Sequence, residues 1–164
     1  MPRAVLAGLF GALAGAMLVL LALPSDLFGR VPPVSGTLSA ASAQVAVVDG
    51  ETLLLHETVV RLQGIAAPQR GQSCHAADGA ATDCGGASTD ALAALVRGHE
   101  VTCRLNGRDH EGFPRGLCEA NGTELNRALV VAGWARARDD NSAFMADELT
   151  ARSNRRGLWR SGAF

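Results

Sequence analysis

Four cysteines are the residues of this 164-residue chain whose chemistry the sequence constrains most directly. An even number is compatible with disulfides or with a metal site. Zinc sites usually use closely spaced pairs of ligands, and the sequence has no C-x-x-C or H-x-x-x-H spacing. Three pairings are possible, and we predict Cys74–Cys84 and Cys103–Cys118 because each disulfide closes a short loop.

Histidines offer little further metal chemistry, because the four in the chain are scattered without ligand spacing. An alternative metal-ligating group is His75 with Asp78 and Asp83, which share the first cysteine loop. The net charge of -1 argues against a strongly basic nucleic-acid binder. With no tyrosine and only 4% aromatic residues, a broad stacking platform for single strands is not expected.

An uncharged, mostly apolar segment occupies residues 4–23. Twenty helical residues span roughly 30 Å, the thickness of a bilayer core. Arg3 precedes the segment, which predicts a cytoplasmic N-terminus and an extracytoplasmic, periplasmic remainder. We therefore predict that residues 1–23 anchor the chain in a bacterial-type inner membrane. The pattern Ala41-Ser42-Ala43 leaves a cleaved signal peptide and a secreted domain as the alternative. Either route would export the cysteines to an oxidising compartment.

Residues 24–43 are rich in proline, serine, alanine and glycine, which predicts a flexible linker before a folded domain over residues 44–164. Within that domain, apolar alternation predicts strands at residues 45–48, 52–55, 59–65, 101–105 and 115–119. Helices are expected after caps at Ser88 or Thr89 and at Thr123, and again over residues 143–155. Residues 71–86 have a loop-like composition. This order predicts an α+β, mainly β, fold: a five-stranded Greek-key barrel of OB type with about three helices.

A series of short motifs between residues 45 and 159 resembles the thermonuclease, or staphylococcal nuclease-like, domain family. The resemblance includes the cysteine arrangement, and it implies the same OB-type barrel. The motifs are Asp49-Gly50-Glu51-Thr52, residues 61–69, Asp109 with Gly112, residues 121–126, residues 129–135 and Gly157-Leu158-Trp159.

The family's activity depends on a conserved pattern, D-G-D-T, then R, then D-x-P-E, then D-x-Y-G-R. The resemblance implies a calcium ion held by several oxygen ligands, a glutamate that activates water, and two arginines that neutralise charge on a phosphate. Calcium would therefore be the cofactor, and a phosphodiester of DNA or RNA the substrate, of an intact member.

This sequence departs from that pattern at most working positions. Glu51 keeps a carboxylate at the second aspartate of D-G-D-T, and Arg61 retains the first arginine. Ala66 replaces a metal-ligating aspartate and offers no side-chain oxygen, whereas Ala67 stands where only a main-chain carbonyl is used. Gln69 replaces the glutamate, and an amide cannot accept a proton at neutral pH.

Which residue stands at the position of the family's second arginine depends on the alignment. A gap-free register from Asp109 to Asn121 places Phe113 at that position. Arg115 follows two residues later, on the same face of a strand but about 6–7 Å along it, and is the candidate for a partial replacement.

The apolar segment predicts that the chain is membrane-anchored and extracytoplasmic. The departures from the motif predict that it is a catalytically impaired member of the family, which acts as a binding or interaction module. Its partner would be a nucleic acid or a protein, and no cofactor is expected. We also expect Glu51 and Arg61 to form a structural ion pair. One alternative is an active nuclease with a rearranged site built from Glu51, Arg61 and Arg115, which would use calcium. Another is a structural envelope domain with a protein partner.

Overall fold

A computed structural model of the chain describes residues 34–75, 79–138 and 143–161. All of them belong to the second of the chain's two structural units, residues 33–164. The predicted membrane anchor lies outside the described residues. Within the described ranges, no helix has both the length and the apolar character needed to cross a bilayer.

The described residues form strands, three α-helices and two short 3₁₀ turns, at Ser42–Gln44 and Gly157–Ser161. The α+β class, with mainly β structure and three helices, is thereby confirmed. The strands in chain order are β1 (Ser35–Ala40), β2 (Val45–Asp49), β3 (Thr52–Leu55), β4 (Thr58–Leu62), β5 (Ile65–Ala66), β6 (Ser73–His75), β7 (Ala81–Asp83), β8 (Val101–Arg108), β9 (Pro114–Ala120), β10 (Thr123–Glu124) and β11 (Arg136–Ala137). The helices are α1 (Cys84–Val96), α2 (Leu125–Val131) and α3 (Met145–Ser153).

The main sheet has the strand order β1-β8-β9-β4-β3-β2, and β10 pairs with β9. Neighbouring strands are antiparallel except β4 and β9, which run parallel. Strands β1 and β2 lie at opposite ends of this path, yet only one 3₁₀ turn separates them along the chain. This order is compatible with the expected Greek-key barrel.

Strand β1 corrects the predicted linker. Residues 35–40 pair along their whole length with β8, from Ser35 opposite Asn106 to Ala40 opposite Val101. The predicted start of the domain at Gln44 is therefore too late. The small and polar side chains of Ser35–Ala40 give no apolar alternation, so only the partner strand reveals this segment as β structure.

The strand predicted over residues 59–65 is two strands. Gly64, with φ of 78°, breaks the extended chain after β4. The second piece, β5, leaves the main sheet and pairs with β11, which places Ala66 opposite Arg136. This break separates the Arg61 strand from the segment that carries Ala66 and Ala67.

The helix caps differ from the prediction. Helix α1 begins at Cys84, because the side chain of Asp83 accepts a hydrogen bond from Gly86 N–H at 2.8 Å. Ser88 and Thr89 are instead buried inside the helix. Thr123 belongs to β10 and does not cap α2. The segment predicted as a loop contains the β6–β7 hairpin.

Side chains from the main sheet and from helices α1 and α2 form one core, in which Leu53, Leu55, Leu92 and Leu129 are fully buried. Both predicted disulfides are present. Cys103 and Cys118 face each other in register between β8 and β9 inside this core. The Cys74–Cys84 bond joins the β6–β7 hairpin to the first residue of α1.

Candidate functional site

Strands β3, β4 and β9 bring the two candidate arginines together. Thr52 is opposite Arg61 across β3 and β4, and Arg61 is in parallel register with Arg115 on β9. Residues in register project to the same face of a sheet, so the side chains of Arg61 and Arg115 lie on one side of it. The Nε atom of Arg115 is buried without a hydrogen-bond partner, and so is the Nε atom of Arg61.

The guanidinium of Arg61 is held by the loop between β8 and β9. Its Nη1 lies 3.2 Å from Oδ2 of Asp109, and its Nη2 lies 2.5 Å from Oε2 of Glu111. The ring of Phe113 packs beneath it, with the guanidinium carbon 5.2 Å from the ring centroid. The predicted Glu51–Arg61 ion pair is therefore wrong, because two nearer carboxylates neutralise Arg61.

Asp109 organises this loop. Its Oδ1 accepts hydrogen bonds from the N–H groups of Glu111 and Phe113, each at 2.9 Å, and its side chain is only 4% exposed. Burial alone would raise the pKa of Asp109. The Phe113 N–H, the Arg61 guanidinium and the Glu111 N–H outweigh it and hold the pKa below its usual value. Asp109 is thus ionised at neutral pH and permanently available to Arg61.

Glu51 occupies a separate environment at the start of β3. Glu51 as a whole is 8% exposed, and its Oε2 accepts a hydrogen bond from Ala67 N–H at 2.9 Å. Its Oε1 lies 3.9 Å from Nη2 of Arg138. Burial raises the pKa of Glu51, against the opposing effects of the Ala67 N–H and Arg138. Arg61 contributes the weakest of the causes that lower this pKa.

The tight turn before Glu51 depends on Gly50. A Cβ at Gly50 would lie 2.7 Å from the Cβ of Ser88 and 2.8 Å from the Cβ of Ala67. Only glycine therefore lets this turn pack against α1 and against the segment that carries Ala67. The D-G-x-T pattern thus has a packing role here that does not depend on metal binding.

Arg138 is a partner of Glu51 that the sequence patterns did not identify as one. Its N–H donates to the carbonyl of Gly64 at 2.9 Å, next to the pairing of β11 with β5. This hydrogen bond holds Arg138 near Glu51, although the two residues are 87 positions apart in the sequence. No local pattern encodes it. Asp109 and Glu111 were also missed as Arg61 ligands, although D-x-x-G is a recognisable turn signal.

The remaining degenerate positions, Ala66 and Gln69, lie within two residues of Ala67, whose N–H contacts Glu51. Ala66 lies in β5 and contributes no side-chain oxygen. Gln69 is exposed, and its N–H donates to Oε1 of Gln72 at 3.1 Å. Its carbonyl lies against the start of α1, where a Cβ on Gly85 would be only 1.8 Å away. Gln69 is therefore fixed by its main chain, and its amide side chain cannot act as a general base.

These residues do not fit a calcium ion. Calcium takes six to eight oxygen ligands, several of them carboxylates. At the family's metal position, Glu51 supplies a carboxylate that already accepts the Ala67 N–H, and Ala66 supplies none. Across the described ranges, no group of three or more His, Cys, Asp or Glu side chains is placed to hold a metal. In the β6–β7 hairpin His75 is opposite Ala81 and Asp83 is opposite Ser73, so His75 and Asp83 lie at opposite ends of the ladder. Asp78 lies outside the described residues.

Comparison with known proteins agrees with the motifs. Residues 59–161 match the family model described as staphylococcal nuclease homologue. The chain is also similar to the succinoglycan biosynthesis protein ExoI of Rhizobium meliloti (strain 1021). The two are 36% identical over 151 residues, which cover 90% of this chain and 75% of that protein. Because the family match spans more than half of its length, the chain belongs to the staphylococcal nuclease homologue family.

Proposed function

We propose that this domain is a member of the family that does not hydrolyse phosphodiesters with calcium and acts as a binding module. The observation that carries the proposal is the environment of Glu51. Its two oxygens face the Ala67 N–H and Arg138, and the neighbouring ligand position is Ala66. A carboxylate in these surroundings, with a raised pKa, is a weak ligand for a hard divalent cation.

The state of Arg61 supports the same conclusion. An arginine stabilises a phosphoryl transition state through an excess of positive charge aimed at the developing negative charge. Here Asp109 and Glu111 already neutralise Arg61, and Phe113 covers one face of its guanidinium. The module would therefore bind a partner without a reacting phosphate at Arg61.

A hydrolysis assay tests the proposal. The full chain, with its disulfides intact, is incubated with single-stranded DNA or RNA in millimolar calcium, beside an active family member. We expect no turnover above buffer. Robust turnover that Arg61→Ala abolishes, with an unchanged circular dichroism spectrum, would overturn the proposal. Arg97→Ala is the matched control, because Arg97 is exposed at the C-terminal end of α1 and makes none of the contacts of the site.

The rival function is an active nuclease with a rearranged site, and one observation favours it. Arg115 is in register with Arg61, and its buried Nε has no hydrogen-bond partner. If it acted on phosphate, Glu51→Ala and Arg115→Ala would each remove activity, and calcium would raise the thermal stability. Calorimetry that detects no calcium binding at millimolar concentration would count against this rival.

The location of the domain is also part of the proposal. The uncharged segment over residues 4–23 supports an inner-membrane anchor, and two disulfides support an oxidising, extracytoplasmic compartment. The strand order supports an OB-type barrel, in which β1 and β2 are consecutive along the chain and lie at the two ends of the strand order. Intact-mass measurement of the purified chain separates an anchored chain from a cleaved one, because cleavage after residue 43 would remove the segment and also strand β1.

The similarity to a succinoglycan biosynthesis protein suggests a setting for the module. We propose that it takes part in the biosynthesis of an exported polysaccharide. Deletion of the coding sequence, followed by measurement of cell-surface polysaccharide, tests this role. Restoration by the Glu51→Ala variant as well as by the native chain is the expected result. A deletion with unchanged polysaccharide would contradict the role without affecting the assignment of the site.

A further inference from the structure

A groove of about 400 Å³ lies between β2 and α1, outside the site around Arg61. Its apolar lining comes from Val45 and Val47 on the strand and from Ala93 and Val96 on the helix. Val45, Val47 and Ala93 are only partly buried. A groove of this volume lies within the usual range for ligand-binding clefts.

Two arginines lie at opposite ends of the groove. The main chain of Arg70 lies beside the first turn of α1, since its Cα would be 3.1 Å from a Cβ on Gly85. Arg97 is the C-cap of the same helix. Twelve residues of helix separate positions 85 and 97, a distance of about 18 Å. Both arginines are exposed, and both line the groove.

Strand β2 presents a sheet edge to this groove. It is the last strand of the main sheet, with β3 on one side, among the strands that the structure describes. Its ladder shifts register between Val47 and Asp49, and the carbonyl of Val48 accepts a hydrogen bond from Nε of Arg70 at 3.1 Å. Arg70 therefore already occupies this acceptor, and an added strand would pair with the regular part of β2 before the register shift, Val45 to Val47. Edge strands readily accept a further strand.

We propose that this groove binds an extended, acidic peptide segment of a partner protein as an added strand on β2. Five extended residues span about 17 Å, which matches the separation of the two arginines. Alternate side chains of the peptide would pack on Val45, Val47 and Ala93. Carboxylates near its two ends would reach Arg70 and Arg97.

Charge sets the preference for an acidic segment. Arg70 and Arg97 outnumber Asp90, which lines the wall between them. Asp90 would repel a carboxylate at the centre of the peptide, so acidic residues belong at its ends and apolar ones between. A basic segment would place its charges against both arginines. The groove therefore selects by the position of charge as well as by its sign.

The test uses the full chain and two blocked, fluorescently labelled pentapeptides. Both have the sequence X-Thr-Val-Thr-X, so the two end side chains and the central valine lie on one face of the extended peptide. X is aspartate in one peptide and lysine in the other. Fluorescence anisotropy should show saturable binding of the aspartate peptide and at least tenfold weaker binding of the lysine peptide. Arg97→Glu should weaken binding of the aspartate peptide at least tenfold. Arg104→Glu, on β8 and outside the groove, should leave it unchanged.

Hydrogen exchange distinguishes strand addition from attraction by charge alone. The peptide should slow exchange of the β2 amides. Unchanged exchange there, equal affinity for both peptides, or no effect of Arg97→Glu would each overturn the proposal. So would an acidic oligosaccharide that binds the groove while the aspartate peptide does not. Arg61→Ala should not alter peptide binding, so this inference and the proposed function can fail separately.

Discussion

Arg61 is paired with Asp109, with Nη1 of the arginine 3.2 Å from Oδ2 of the carboxylate. Asp109 is in turn fixed by two main-chain N–H groups of its own loop. The retained arginine of the family motif is therefore part of a structural link between β4 and the β8–β9 loop. Its retention does not by itself indicate retained catalysis.

The first prediction separates the two carboxylates that hold Arg61. Asp109→Ala removes a buried acceptor of two N–H groups and leaves a partly buried arginine without its inner partner. We expect the free energy of unfolding to fall by about 2–3 kcal/mol. Glu111→Gln is the control: the Glu111 side chain is 48% exposed, so the loss should stay below about 1 kcal/mol. Urea denaturation measures both, and equal losses would contradict the structural role of Asp109.

Acid titration extends this test. The folded-state pKa of Asp109 lies below its ordinary value of 3.8, so the native state binds fewer protons than the unfolded state in that range. The stabilisation is complete above the ordinary pKa and is lost as pH falls through the lower, folded-state pKa. Asp109→Asn should therefore lose less stability than the native chain on acidification below about pH 4.

The second prediction concerns the opposite shift at Glu51. Its folded-state pKa is raised above 4.5, so the native state retains a proton that the unfolded state has released. Stability is then lost as pH rises from 4.5 through the folded-state pKa. Glu51→Gln keeps an oxygen for the Ala67 N–H and removes the buried charge. We expect the variant to be at least as stable as the native chain at pH 7, with a flatter pH profile.

Urea denaturation across the acid-to-neutral range checks this prediction. Glu100→Gln is the matched control, since Glu100 is exposed and lies outside the site. A loss of more than about 1 kcal/mol for Glu51→Gln at pH 7 would show that the ionised carboxylate stabilises the fold. It would also weaken the argument that Glu51 is unsuited to a cation.

Asn126 carries the third prediction. It is fully buried, and its Oδ1 accepts a hydrogen bond from Cys118 N–H at 3.0 Å. Its Nδ2 donates to the carbonyls of Gln63 and Gly116 at 2.8 and 3.1 Å. One side chain thereby ties α2 to β9 and to the end of β4. Asn126→Ala should cost about 2–4 kcal/mol, because three main-chain groups each lose one hydrogen bond, although the Gly116 carbonyl still accepts from Gln63 N–H.

Asn126→Asp provides the control within the same position. It keeps an acceptor for Cys118 N–H but faces two carbonyls without a donor, so it should be no more stable than Asn126→Ala. Thermal or urea unfolding distinguishes the variants. A fully stable aspartate variant would mean that the two donated bonds contribute nothing.

The sequence predicted features that depend on residues close together in the chain, but it did not predict contacts between residues far apart. Cysteine spacing sufficed for both disulfides, because each bridge closes a short loop. The wrong Glu51–Arg61 pair came from treating two motif residues as mutual neighbours. The actual ligands of Arg61 are about fifty positions away, on a loop that only the parallel pairing of β4 and β9 brings near. Arg138 likewise depends on the β5–β11 pairing.

Strand β1 shows a different limit. Its residues, Ser35–Ala40, have the composition of a linker, and their strand conformation depends on β8 as a template. The cap of α1 was missed for a simpler reason. Ser88 and Thr89 are good capping residues, but Asp83 stands next to the disulfide-bonded Cys84 and begins the helix about one and a half turns earlier.

The last prediction restores one carboxylate at the family's metal position. Ala66→Asp would add a second acidic side chain in the segment whose Ala67 N–H binds Glu51. Without calcium, two like charges in a confined site should lower the stability at neutral pH and raise the pKa of Glu51 further. With calcium at ten times its dissociation constant, binding to the folded state alone would return about 1.4 kcal/mol.

Thermal unfolding with and without millimolar calcium provides the measurement. The native chain should show no calcium-dependent change in Tm, and Ala66→Asp should show an increase. Ala66→Asn is the control, since it adds a similar volume and an amide oxygen but no charge. An equal increase for the native chain would mean that Glu51 and the neighbouring carbonyls already bind the ion, which would favour the nuclease alternative. If the Tm of Ala66→Asp does not increase with calcium, the number of carboxylate ligands alone does not explain why calcium fails to bind. The wider environment of Glu51, including Arg138, would then be the cause.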